Sequence, residues 1–181
     1  FQDHPGMAFR VAGIGSKPTI TMVEGQPASA PGLANRYFVG EGNRIMENGE
    51  ADVLYLNDGR GKFTAVSWTG GAFLDEDGKP LESPPLDWSL SAMLRDINGD
   101  GVPDLYVCSD TFSPDRVWIN EGHGRFRALP RLAQRETSYS SMGVDFADIN
   151  RDGFDDFFVT DMLARDHTNR QAQILMRRPP A

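Results

Sequence analysis

Asp96-Ile97-Asn98-Gly99-Asp100-Gly101-Val102-Pro103-Asp104, running into Leu105-Tyr106-Val107, is written a second time 52 positions later. The second copy is Asp148-Ile149-Asn150-Arg151-Asp152-Gly153-Phe154-Asp155-Asp156, running into Phe157-Phe158-Val159. A hard divalent cation takes six to eight oxygens, and a short loop can supply them only if alternate side chains turn inward around a tight bend. Positions 1, 3, 5 and 9 offer Asp96, Asn98, Asp100 and Asp104, with the carbonyl of Val102 at position 7. The second copy offers Asp148, Asn150, Asp152 and Asp156, with the carbonyl of Phe154. Both loops are read as calcium sites, two ions in all. Gly101 and Gly153, at position 6, fall where the chain is expected to take a left-handed backbone angle that a Cβ resists.

An EF-hand begins in the same way, but it needs a bidentate Glu at position 12 and a helix on either side. Position 12 here is Val107 or Val159, and the flanking runs are β-branched and aromatic, the mark of buried strands. Asp, Asn and Gly also cluster in ordinary turns. The same acid at each of three positions, and the same amide at a fourth, in two copies weighs for metal. Asp155 occupies position 8, where Pro103 stands in the first copy, and is expected to be a solvated neighbour of the second site.

A second signature alternates with the loops. Leu54-Tyr55-Leu56-Asn57-Asp58-Gly59-Arg60-Gly61-Lys62-Phe63 matches Val117-Trp118-Ile119-Asn120-Glu121-Gly122-His123-Gly124-Arg125-Phe126. Each reads as a strand, a Gly-rich tight turn and a returning strand. The repeating order is strand, metal loop, strand, connector, hairpin, and only Trp88 to Pro130 carries all of it. Such four-stranded units cannot bury both faces alone and stack on neighbours, as in a propeller. The expected fold is therefore all-β, with an incomplete set of about three propeller-type blades. Residues 1–34 read as an N-terminal segment and linker, and 35–87 as a degenerate first repeat with an acidic loop at Asp75 to Pro80. Residues 88–138 form the complete repeat. Residues 139–181 form a second, incomplete calcium-loop repeat, ending in a short helix from Met162 to Met176 built of good helix formers.

The net charge of −8 argues against nucleic acid, which needs a cationic surface. Three carboxylates in each loop concentrate that charge, and two divalent ions would bring the chain to −4. No run approaches the roughly 18 apolar residues that cross a bilayer. The single cysteine, Cys108, follows the apolar run of Leu105 to Val107 and is expected to be a buried thiol. Calcium loops suit the ion-rich space outside the cytosol, so an extracellular, periplasmic or cell-surface location is expected.

The two loops, the intervening Trp118-Ile119-Asn120 hairpin, and Ser141-Met142-Gly143-Val144-Asp145-Phe146-Ala147 leading into the second loop resemble FG-GAP repeats. These are the blades of integrin α-subunit propellers and of bacterial VCBS-like secreted proteins. The chain is most similar to the bacterial cartilage-acidic-protein-like group, over roughly residues 35 to 167. The resemblance implies a propeller with calcium held between the first two strands of a blade by the residues named above. It implies adhesion or ligand display toward a protein or glycan and sets no enzymatic activity. The expected function is thus a calcium-stabilised, non-catalytic interaction module. One rival is a propeller-type enzyme acting on polysaccharide, although His4, His123 and His167 are scattered and no triad order is seen. The other is a structural subunit that pairs through exposed strand edges with other subunits or with the remainder of a longer chain.

Overall fold

The computed structural model describes residues 6–13, 18–110, 113–134 and 137–162. The C-terminal helix expected from Met162 lies, past that residue, outside them, as do His4 and His167. The chain divides into two compact units, Phe1–Glu50 and Ala51–Ala181.

In the first unit, strands β1 (Phe9–Ala12), β2 (Thr19–Val23) and β3 (Gln26–Pro27) form an antiparallel sheet, and β4 (Tyr37–Val39) pairs with β5 (Ile45–Glu47). The stretch read as an N-terminal segment and linker carries strands β1 to β3. Thr19-Ile20-Thr21-Met22-Val23 has the β-branched composition of a strand and buries Ile20 and Val23. Glu24 and Gly25, with φ of 50° and 77°, make the two-residue turn that brings β3 back along β2.

The second unit begins with a hairpin, β6 (Tyr55–Asn57) and β7 (Phe63–Ala65), followed by a turn at Trp68–Ala72 and the short strand β8 (Phe73–Leu74). Strands β9 (Ser89–Arg95), β10 (Asp104–Ser109), β11 (Arg116–Asn120) and β12 (Phe126–Ala128) then run as an antiparallel meander. These four strands fall within the stretch from Trp88 to Pro130. Strands β13 (Ser141–Ala147) and β14 (Asp156–Asp161) form the antiparallel pair that opens the next repeat. Among the described residues the strands make five separate sheets, and no closed propeller is formed.

β8 was not legible in the sequence. It lies parallel to β12 at the edge of the meander, with Phe73 opposite Phe126 and Leu74 opposite Arg127. Phe73 stacks on Trp68 at 3.9 Å and on Phe126 at 5.5 Å, with Trp118 edge-on at 5.2 Å. That burial gives a two-residue strand its place in the sheet.

Strand side chains alternate between faces, so β10 feeds two cores. Val107 joins Phe73, Trp118 and Phe126 on one face, packed by Leu54, Val66 and Trp68. Tyr106 and Cys108 join Val117 and Phe146 on the other, packed by Val144 and Val159. Tyr106, Phe146 and Phe157 form an aromatic triangle there, with centroids 5.6 to 6.0 Å apart. Burial on both faces is why β10 reads as a continuous apolar run rather than an alternating one.

Candidate metal centres

The first loop joins β9 to β10 and is built almost wholly from its own side chains. Asp96 Oδ1 accepts from the N–H groups of Gly99 (2.8 Å) and Asp100 (3.1 Å), and Oδ2 accepts from Gly101 N–H (2.8 Å). Asn98 Oδ1 accepts from Asp100 N–H at 3.0 Å, and its Nδ2 donates to Asp100 Oδ2 at 2.9 Å. Asp100 Oδ1 in turn accepts from Val102 N–H at 2.8 Å. These Asx turns draw the side chains of positions 1, 3 and 5 to the inside of the bend. Gly99 and Gly101 take φ of 79° and 86°, as expected at position 6 and in addition at position 4.

The second loop, between β13 and β14, repeats the pattern at positions 3 and 5 and, at position 1, all but the bond that Gly99 N–H makes to Asp96. Asp148 accepts from Asp152 N–H and Gly153 N–H, each at 3.0 Å. Asn150 accepts from Asp152 N–H (3.0 Å) and donates to Asp152 Oδ2 (2.9 Å), and Asp152 accepts from Phe154 N–H (2.9 Å). Arg151 and Gly153 have φ of 64° and 92°, so a residue with a Cβ holds a left-handed position that glycine holds in the first loop.

The two loops differ at position 9. Asp104 is fully buried; Oδ2 accepts from Ile97 N–H (2.9 Å) across the loop and Oδ1 from Asn120 N–H (2.7 Å) at the end of β11. Asp156 makes only the first of these bonds, to Ile149 N–H at 3.1 Å. The cause is the sheet: β11 stands beside β10, whereas β14 pairs with β13 alone among the described strands.

Asp155 is not a solvated neighbour. Its Oδ2 accepts from Arg95 Nε at the end of β9, which ties the second loop to the strand leading into the first. The hydrogen bond from Arg95 holds the Asp155 carboxyl below the ordinary range, and the Asp155 bond raises the Arg95 guanidinium in turn. No local pattern points to Arg95, because the contact spans 60 residues. It is the one ion pair made with either loop among the described residues.

The donor chemistry of each loop is three carboxylates and one amide oxygen, with none of the eight side chains at positions 1, 3, 5 and 9 paired to a lysine or arginine among the described residues. That suits a hard, oxygen-seeking cation. Among the described residues no three His, Cys, Asp or Glu side chains are gathered as a metal-holding group. The carboxylates are instead turned onto the loop's own N–H groups. An ionised carboxylate has about four acceptor positions, so these bonds leave lone pairs free.

Cys108 is buried as expected, and burial pushes its thiol up, as it does the Tyr106 hydroxyl. His123 sits in the β11–β12 turn with φ 54°, the place that Arg60 holds in the β6–β7 turn.

Residues 96–159 match the family model of the FG-GAP-like repeat, a span running from the first acid of the first loop into β14. Comparison with curated proteins gives no match, and comparison with solved structures gives none.

Proposed function

We propose, from the match of residues 96–159 to the FG-GAP-like repeat, that the chain is a calcium-stabilised, non-catalytic interaction module working in an extracellular, periplasmic or cell-surface space. The observation that carries this reading is the twofold recurrence of one loop, with the same acids at the same positions and matching hydrogen bonds at positions 3 and 5.

Asp96, Asn98, Asp100, Asp104 and the Val102 carbonyl would hold one ion, and Asp148, Asn150, Asp152, Asp156 and the Phe154 carbonyl the other. Bound calcium supplies positive charge to a turn that concentrates three carboxylates. The chain does the rest. Asp104 fixes the start of β10 to both the loop and β11, and Arg95 holds the second loop beside the first. The result is a single acidic edge, formed by the two strand-joining loops, on a stacked β scaffold. Such an edge is a surface on which a protein or glycan ligand can be displayed at fixed spacing. Loops of this kind outside cells bind calcium at roughly 10⁻⁴ to 10⁻³ M. Thermal melting across a calcium titration tests the proposal. Saturating calcium at 100 times Kd stabilises by about 2.7 kcal/mol per site, so the midpoint rises with calcium and returns with chelator. A midpoint indifferent to both refutes it.

Equivalent positions favour a second reading, an array that continues beyond these repeats. Trp118 is 2% exposed, but Tyr55, at the same place in the earlier hairpin, is 55% exposed. Tyr106 is 2% exposed and packs on the next repeat, while its counterpart Phe158 is 63% exposed. Each outward face carries the aromatic that is buried where a neighbouring repeat is present, which suits docking of further repeats or subunits. Light scattering on the isolated chain checks this: concentration-dependent association supports it, and a monomer at all concentrations counts against it.

A further inference from the structure

Asp52 and Asp115 each stand two residues ahead of the matching runs that begin at Leu54 and Val117, and Ser89 and Ser141 each stand seven residues ahead of the first loop acids, Asp96 and Asp148. The structure joins them in the same order. Ser89 Oγ donates to Asp52 Oδ2 at 2.7 Å, and Ser141 Oγ donates to Asp115 Oδ2 at 2.7 Å. In both cases the donor is the first residue of a repeat's first strand. The acceptor lies just ahead of the strand that carries the hairpin signature of the preceding repeat.

We propose that this Asp–Ser hydrogen bond is a junction clasp that sets the register at which one repeat stacks on the next. Apolar burial between repeats is strong but non-directional, whereas strand side chains alternate with a period of two, so a slip of one residue turns a whole face over. A short, directional hydrogen bond at the start of the incoming strand selects one register from those that burial allows. At the second junction the clasp is buried, and Asp115 also accepts from Tyr106 Oη (2.8 Å) and Ser109 N–H (2.9 Å), so its carboxylate is satisfied without a cation. At the first junction Asp52 is exposed and, among the described residues, has neither of these extra donors, because no described strand stands beside β6 in the place β10 takes beside β11. There the Asp52 carbonyl instead accepts from Trp68 Nε1 at 2.6 Å. The bond therefore keeps its length and its place in the repeat where burial and the supporting donors are absent, and it is not a by-product of closing the aromatic core.

The test uses the full chain in calcium, with urea unfolding and residue-resolved hydrogen exchange on Ser141→Ala, Asp115→Asn, the double variant, Ser141→Thr, and the parallel set Ser89→Ala and Asp52→Asn. Ser141→Ala is expected to lower the folding equilibrium constant by roughly ten- to a hundredfold, the worth of a hydrogen bond to a charged group. The double variant loses much less than the product of the singles, and Ser141→Thr, which keeps the hydroxyl, recovers most of the loss. Exchange protection falls in β13 and β14 while β9 to β12 keep theirs. The exposed pair shows the same non-additivity at roughly two- to tenfold, and it decides the matter if the Asp115 variants do not fold. Losses that multiply independently at both junctions, or protection lost evenly across β9 to β14, overturn the proposal.

Discussion

Replacing Asp104 by alanine in the absence of metal should cost far more than replacing Asp156, its partner at position 9. In the first loop the substitution strips the charged acceptor from two N–H groups, Ile97 at 2.9 Å and Asn120 at 2.7 Å, at a fully buried site. A hydrogen bond to a charged group is worth about 1.5 to 3 kcal/mol, and a buried donor left without a partner keeps its full desolvation cost. Two such bonds set the loss at about 4 kcal/mol, a large part of the stability of a typical domain. Asp156 accepts one bond, at 3.1 Å in a more open setting, so its replacement should cost about 1 kcal/mol. Urea unfolding in chelator, followed by tryptophan fluorescence, measures both variants, with the slope m unchanged so that midpoint differences read as stability. Added calcium should leave the gap of about 3 kcal/mol largely in place, because it arises from the sheet and not from the ion. Equal losses in chelator, or an Asp104 loss that appears only with calcium, would refute the reasoning.

Arg151→Gly should raise stability by about 0.5 to 1 kcal/mol by relieving a Cβ at φ 64°, and a lowered melting midpoint would contradict that. The mirror change, Gly101→Ala, should cost about 1 kcal/mol from backbone strain alone, since nothing lies within 4 Å of the added methyl group. Trp118→Ala should cost about 3 to 5 kcal/mol, while Tyr55→Ala at the same motif position should stay within about 0.5 kcal/mol; similar losses by denaturant unfolding would show that burial does not separate them. Because Arg95 holds the Asp155 carboxyl below its unfolded value, the ion pair's contribution is present above about pH 4 and disappears as pH falls through the depressed folded value. Asp155→Asn should therefore flatten the acid side of the stability profile measured by urea midpoints, and an unchanged slope would exclude the pair as its source.

What the sequence determined by itself is what short-range chemistry encodes. The loops could be read because their bonds run between residues two to seven positions apart, so the spacing of Asp96, Asn98, Asp100 and Asp104 is also their geometry. The hairpin from Tyr55 to Ala65 and the strand β10 were legible for the same reason: turn glycines and apolar runs act within a few residues. Only the tertiary structure decided the rest. It placed β8 parallel to β12, tied Asp155 to Arg95 across 60 residues, and gave Asp104 a second partner in β11 that Asp156 lacks. It also made Tyr106 core and Phe158 surface, although they stand at equivalent places in the repeat. Each of these depends on which strand stands next to which, and pairings between distant segments are set by the total burial they achieve together, a quantity that no local spacing carries.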